Sequence, residues 1–66
     1  MNKWEEVYEG LWTRTENELT MFVTVFSDYT EATATKDMEQ VVNQVFYGEN
    51  ATKNAKAFLE QTVKHL

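Results

Sequence analysis

The chain has 66 residues, no cysteine, no proline and a formal net charge of −5. This length predicts a single domain, residues 1–66, whose small core supplies only about 3–5 kcal/mol of stability. The missing cysteines exclude disulfides and thiolate zinc sites, and the acidic balance argues against direct nucleic-acid binding because phosphates repel it.

The first half of the chain permits two interpretations. Apolar residues between 3 and 12 have helical spacing, but the segment Trp4–Thr15 also fits a strand that turns back at Glu16–Asn17 to form a hairpin with the segment after it. The segment that follows, residues 19–26, is rich in β-branched and aromatic residues and is predicted to be a strand. One of its faces would carry Leu19, Met21, Val23 and Val25, and the other Thr20, Phe22, Thr24 and Phe26.

The second half predicts two amphipathic helices. Met38, Val41, Val42, Val45 and Phe46 recur at the spacing of one helix face, which predicts a helix over residues 37–47 that Gly48 ends. The same spacing returns between residues 52 and 65 and predicts a second helix. The threonine-rich segment 29–35 reads as a connecting loop or a frayed strand end.

These elements predict an α+β fold. An N-terminal β-hairpin, or a helix plus a strand, would be followed by the two amphipathic helices. The alternative is a three-helix all-α bundle, which requires one helix to run through the polar segment 13–18 into residues 19–26.

The residue types argue against an enzyme. His65 is the only histidine and is penultimate, Ser27 is the only serine, and Gly10 and Gly48 are too far apart for a phosphate loop. No residue pattern suggests a cofactor or a metal ion. The function expected is therefore binding to another protein.

Acidic residues are concentrated in the first 50 positions, which hold ten acids and three bases, while residues 51–66 hold one acid and three bases. Such a distribution has two interpretations: the charge keeps the protein soluble, or it forms an acidic face that binds a basic partner, such as a DNA-binding enzyme. No apolar run is long enough to span a bilayer, and the polar N-terminal segment does not resemble a secretory signal. We therefore expect a soluble cytoplasmic protein with no membrane contact.

Nine of the 66 residues are aromatic, more than two helices and a hairpin can bury. We expect several of them to be exposed in the monomer and to form an interface, because aromatic residues anchor interfaces. The candidates are Trp4, Tyr8, Trp12, Phe22, Phe26 and Tyr47. The composition also predicts a homodimer, without deciding whether the exposed aromatic residues join two copies or bind a different partner.

The segment Val45–Ala51, with sequence VFYGENA, resembles a family of small acidic uracil-DNA glycosylase inhibitors made by some Bacillus phages. Tyr47 and Gly48 match the Tyr-Gly of that family, with Glu49 inserted before Asn50. The family has an aromatic residue one turn before its tyrosine, where this chain has Asn43. The resemblance implies a dimer that presents acidic groups in place of DNA phosphates, together with an apolar recess.

Together with the acidic first half and the missing catalytic residues, this resemblance implies an inhibitor that binds a basic host protein, such as uracil-DNA glycosylase, by DNA mimicry and an apolar recess. Carboxylates available for this are Glu5, Glu9, Glu16, Glu18, Asp28 and Glu31. The residues predicted to contact the partner are Trp12, Glu16, Glu18, Val42, Phe46 and Tyr47. The alternative is a non-catalytic adaptor or assembly protein whose aromatic face joins copies of itself.

Overall fold

Each strand of this chain pairs with the strand that precedes or follows it in sequence. The computed structural model describes residues 3–65. Five antiparallel strands form one sheet in the order β1-β2-β3-β4-β5, and a C-terminal helix follows them. Their bounds are β1 Glu5–Tyr8, β2 Leu11–Glu16, β3 Leu19–Val25, β4 Thr30–Lys36, β5 Glu39–Phe46 and α1 Ala51–Val63.

The core lies between one face of the sheet and α1. Along β3 and β4, buried and half-buried residues alternate, as expected for strands with one covered face. Leu19, Met21 and Val23 supply the larger core side chains of the sheet, whereas β4 supplies only alanines and a threonine. These small residues let α1 approach closely, and α1 contributes its own buried residues at helical spacing: Ala51, Ala55, Leu59 and Val63.

Two-residue turns connect β2 to β3 and β4 to β5. Asn17 and Glu18 both have positive φ, at 52° and 66°, and so do Asp37 and Met38, at 53° and 65°. Positive φ at both central residues is the mark of a type I′ hairpin turn, whose twist matches that of the strands. We refer to the end of the sheet formed by these two turns as the hairpin end.

The predicted helix over residues 37–47 is wrong. Residues 37–38 form a turn, and Glu39–Phe46 form strand β5, which pairs with β4. Apolar residues recur at helical spacing there because β5 has apolar side chains on both faces and the pairing is irregular between Ala34 and Thr35. Met38, which seemed to begin the helical stripe, is 98% exposed in the turn.

The remaining differences concern the first 36 residues. Residues 3–12 form no helix but contain β1 and the start of β2, separated by a turn at Glu9–Gly10. The segment 29–35, predicted to be a connecting loop or a frayed strand end, is mostly the full strand β4, which lies between β3 and β5. The three-helix alternative is excluded as well. The strand predicted at 19–26 is β3, and the helix predicted at 52–65 corresponds to α1.

Candidate protein-binding site

Three aromatic side chains cluster where the β3–β4 loop meets the segment after β5. The ring centroids of Phe26 and Tyr29 lie 4.9 Å apart, and the ring centroids of Tyr29 and Tyr47 lie 6.5 Å apart. Tyr29 is half-buried, but Phe26 is 44% exposed and Tyr47 72% exposed. We call this part of the molecule, residues 26–29 and 47–50, the aromatic end. The three rings form a preassembled, partly exposed apolar surface.

Local backbone geometry holds the aromatic end together. The Phe26 N–H donates to the Tyr29 carbonyl at 2.8 Å and closes the β3–β4 loop. Gly48 has a φ of +96°, which favours glycine, and it turns the chain from β5 into α1. The Ala51 N–H then donates to the Gly48 carbonyl at 3.2 Å. Between the two loops lies a recess of ≈ 440 Å³, lined by Phe26, Tyr29 and Glu49 among others.

The loops at this end carry negative charge. Asp28 lies in the β3–β4 loop and Glu49 in the segment between β5 and α1, and both are exposed. The turn between β1 and β2 also reaches this end, because the Val25 N–H donates to the Gly10 carbonyl at 2.7 Å, and it carries exposed Glu9. Residues 9–10, 26–29 and 47–50 contain no lysine or arginine. Exposed aromatic rings therefore stand among carboxylates.

Three of the residues predicted to bind a partner pack inside the molecule instead of projecting from it. Phe46 is half-buried, with its ring 5.5 Å from that of Phe58. Val42 is half-buried against the core. Trp12 is covered by Lys56, whose Nζ lies 3.4 Å from the indole centroid, in cation–π geometry. Their side chains contribute to stability in the free monomer.

The two predicted glutamates lie far from Tyr47. Glu18 is exposed in the turn at the hairpin end, and Glu16 precedes that turn. Glu16 forms a salt bridge at 2.8 Å with Arg14, which also contacts Glu60 of α1 at 2.9 Å. Strand β3 runs the length of the sheet, so the hairpin end and the aromatic end are about 20 Å apart. The structure thus does not bring the predicted acidic and aromatic residues together.

Sequence reasoning missed Asp28, Tyr29 and Glu49 as companions of Tyr47. Phe26 was counted among the aromatic residues that should be exposed, which its exposure confirms. The available signal was the segment Phe26–Tyr29, in which two turn-forming polar residues separate two aromatic residues at the end of a strand. Reading residues 29–35 as a loop concealed it, since only the pairing of β4 with β5 brings this segment beside Tyr47.

The sheet face opposite α1 is polar. Its central strands present threonines around Phe22, and most of these residues are half-buried by their neighbours: Thr13, Thr20, Thr24, Thr33 and Thr35. Within residues 3–65, no group of three or more histidine, cysteine, aspartate or glutamate side chains is placed to hold a metal ion. Apolar exposure and negative charge coincide at the aromatic end and also along β1, where Val7 and Tyr8 are exposed beside Glu5 and Glu6; among the described residues, the aromatic end alone combines them with a recess between two loops.

In the part of the chain that the structure describes, no helix has both the length and the apolar character needed to cross a membrane. No protein-family model, curated protein or solved structure matches the chain.

Proposed function

We propose that this chain is a small non-catalytic inhibitor that binds a basic surface of a DNA-handling protein through its aromatic end. The observation that carries the proposal is the cluster of Phe26, Tyr29 and Tyr47, two of whose rings are exposed among Asp28 and Glu49. A binding role needs no catalytic groups.

The two kinds of side chain supply different parts of the interaction. Exposed aromatic rings that are already held in place lose little conformational freedom on binding, so they serve as anchors that slow dissociation. Exposed carboxylates attract a basic surface over a distance and mainly speed association. A protein surface that binds DNA phosphates carries the complementary charge. Binding there would exclude DNA and inhibit the enzyme.

Uracil-DNA glycosylase is the first target to test, because the segment Val45–Ala51 resembles inhibitors of that enzyme. Tyr47 belongs both to this segment and to the aromatic end. Of the carboxylates predicted as phosphate mimics, Glu9 and Asp28 lie in the loops at the aromatic end, and we add Glu49 to them. The alternative function, a self-associating adaptor, is favoured by the exposed edge of β5, of which five of eight residues are exposed.

The aromatic contribution can be measured with Phe26→Ala in a binding assay against immobilised uracil-DNA glycosylase. We expect faster dissociation, with a loss of about 2 kcal/mol in binding free energy if Phe26 anchors the complex. Met38→Ala is the matched control, since it also removes an exposed apolar side chain, but from the hairpin end. It should leave the dissociation rate unchanged.

The acidic contribution can be measured with a second matched pair. Glu49→Gln at the aromatic end should slow association and weaken its dependence on salt, whereas the same change at Glu18 should do neither. If Glu18→Gln alone slows association, the contact lies at the hairpin end, as the sequence-based set including Glu16 and Glu18 predicts. If wild-type protein neither inhibits uracil excision nor retains a basic protein at low salt, the proposed function is wrong.

A further inference from the structure

The two edges of the sheet differ in how they are protected from pairing. Strand β1 has four residues, includes Glu5 and Glu6, and pairs irregularly with β2 between Glu6 and Tyr8. Strand β5 has eight residues and pairs regularly with β4 from Val42 to Phe46. Short length, charge and irregularity are the means by which proteins block edge strands. The edge of β5 lacks charge from residue 40 to residue 46.

We propose that the edge of β5 pairs with β5 of a second copy of this chain, antiparallel, about a two-fold axis at Gln44. Strand edges expose unpaired N–H and C=O groups that another strand can satisfy. With the axis at Gln44, the regular segment Val42–Phe46 faces the same segment of the other copy. The result is one continuous sheet of ten strands, with both α1 helices on the same side.

Side-chain chemistry supports this register. Val42 lies opposite the partner's Phe46 on the face that α1 covers, so two apolar pairs flank the pair of Gln44 side chains at the axis. On the other face, Asn43 lies opposite the partner's Val45. Beyond the regular segment, Val41 approaches the partner's Tyr47. In the monomer, Val41 is 48% exposed and Tyr47 is 72% exposed. Gln44 meets its own counterpart, with which its amide can exchange hydrogen bonds.

Charge does not oppose a second copy along this part of the edge. Each copy carries a net charge of −5, so two copies repel each other at most surfaces. Between Gln40 and Phe46 the β5 edge has no charged side chain, and pairing there places no two like charges directly opposite each other. The core of so short a chain is also small, which favours stabilisation by association.

The test is sedimentation equilibrium on the full chain, without any partner, from about 5 to 500 µM. Wild type should shift from the 7.8 kDa of one chain towards twice that mass. Gln44→Lys places two lysines opposite each other at the axis and should raise the dimer dissociation constant by about tenfold or more. Gln61→Lys, the same substitution at an exposed position of α1, should leave it unchanged.

A charge-complementation experiment separates pairing from misfolding. Gln44→Lys and Gln44→Glu should each be monomeric alone and form a heterodimer when mixed, because unlike charges then meet at the axis. Hydrogen exchange on wild type gives an independent measurement: amides of β5 should exchange more slowly at high concentration, while those of β1 should not change. A wild-type chain that stays at 7.8 kDa overturns the proposal. So does a dimer in which Gln44→Lys and Gln61→Lys behave alike, or a β5 that gains no protection.

Discussion

Relieving the strained turn between β4 and β5 should stabilise the protein. Met38 has a φ of 65°, a left-handed conformation that costs an L-residue about 1–2 kcal/mol. Its side chain is 98% exposed, so its removal sacrifices no packing. Met38→Gly removes the strain but gives the unfolded chain more freedom, which costs about 0.4–1 kcal/mol. The net expectation is a gain of about 0.5–1 kcal/mol in the free energy of unfolding.

Thermal unfolding followed by circular dichroism measures this gain. For a domain of this size, each kcal/mol shifts the midpoint by about 4–8 °C, so Met38→Gly should raise Tm by about 2–8 °C. Met38→Ala is the control: it deletes the side chain but keeps the penalty for positive φ, and its Tm should stay close to that of wild type. A glycine variant that is less stable than the alanine variant would refute the assignment of a two-residue turn at Asp37–Met38.

Three further substitutions test the packing of α1 on the sheet. Leu59→Ala removes a fully buried side chain at a cost of about 2–5 kcal/mol, comparable to the whole stability of such a domain, so its circular dichroism at 25 °C should be largely that of an unfolded chain. Lys56→Met removes the cation above Trp12 and should lower the urea-unfolding free energy by about 0.5–1 kcal/mol, whereas Lys56→Arg should not. Glu60→Gln weakens a half-exposed contact with Arg14 and should cost at most about 1 kcal/mol, a difference that shrinks in urea titrations at high salt.

Elements whose residue pattern reflects a single buried face could be predicted from the sequence, whereas elements that depend on pairing with other strands could not. The alternation in β3 and the spacing of Ala55, Leu59 and Val63 in α1 follow directly from one buried face, and both elements were predicted. The prediction for β5 failed because this edge strand has apolar side chains on both faces and an irregular pairing. Together these features give its apolar residues the spacing of a helix face. The turn before it contains no glycine, so its hairpin signal was weak.

The candidate site was predictable only in part, because its residues come from separate loops. Exposure of Tyr47 and Phe26 followed from a surplus of aromatic residues over the available core. Their proximity to Asp28 and Glu49 depends on β4 joining β3 to β5, a pairing that the helical interpretation of residues 37–47 precluded. Trp12 and Phe46 were expected at an interface, yet Lys56 covers the first and Phe58 packs against the second.

The central claim, that this chain competes with DNA for a basic protein surface, is tested most directly by uracil excision. Uracil-DNA glycosylase would be assayed on uracil-containing DNA at increasing concentrations of the wild-type chain and at two salt concentrations. The account predicts inhibition that is competitive with DNA, relieved by Phe26→Ala and weaker at the higher salt, because charge steers the encounter. Full activity at every concentration of the chain, at both salt concentrations, would contradict it.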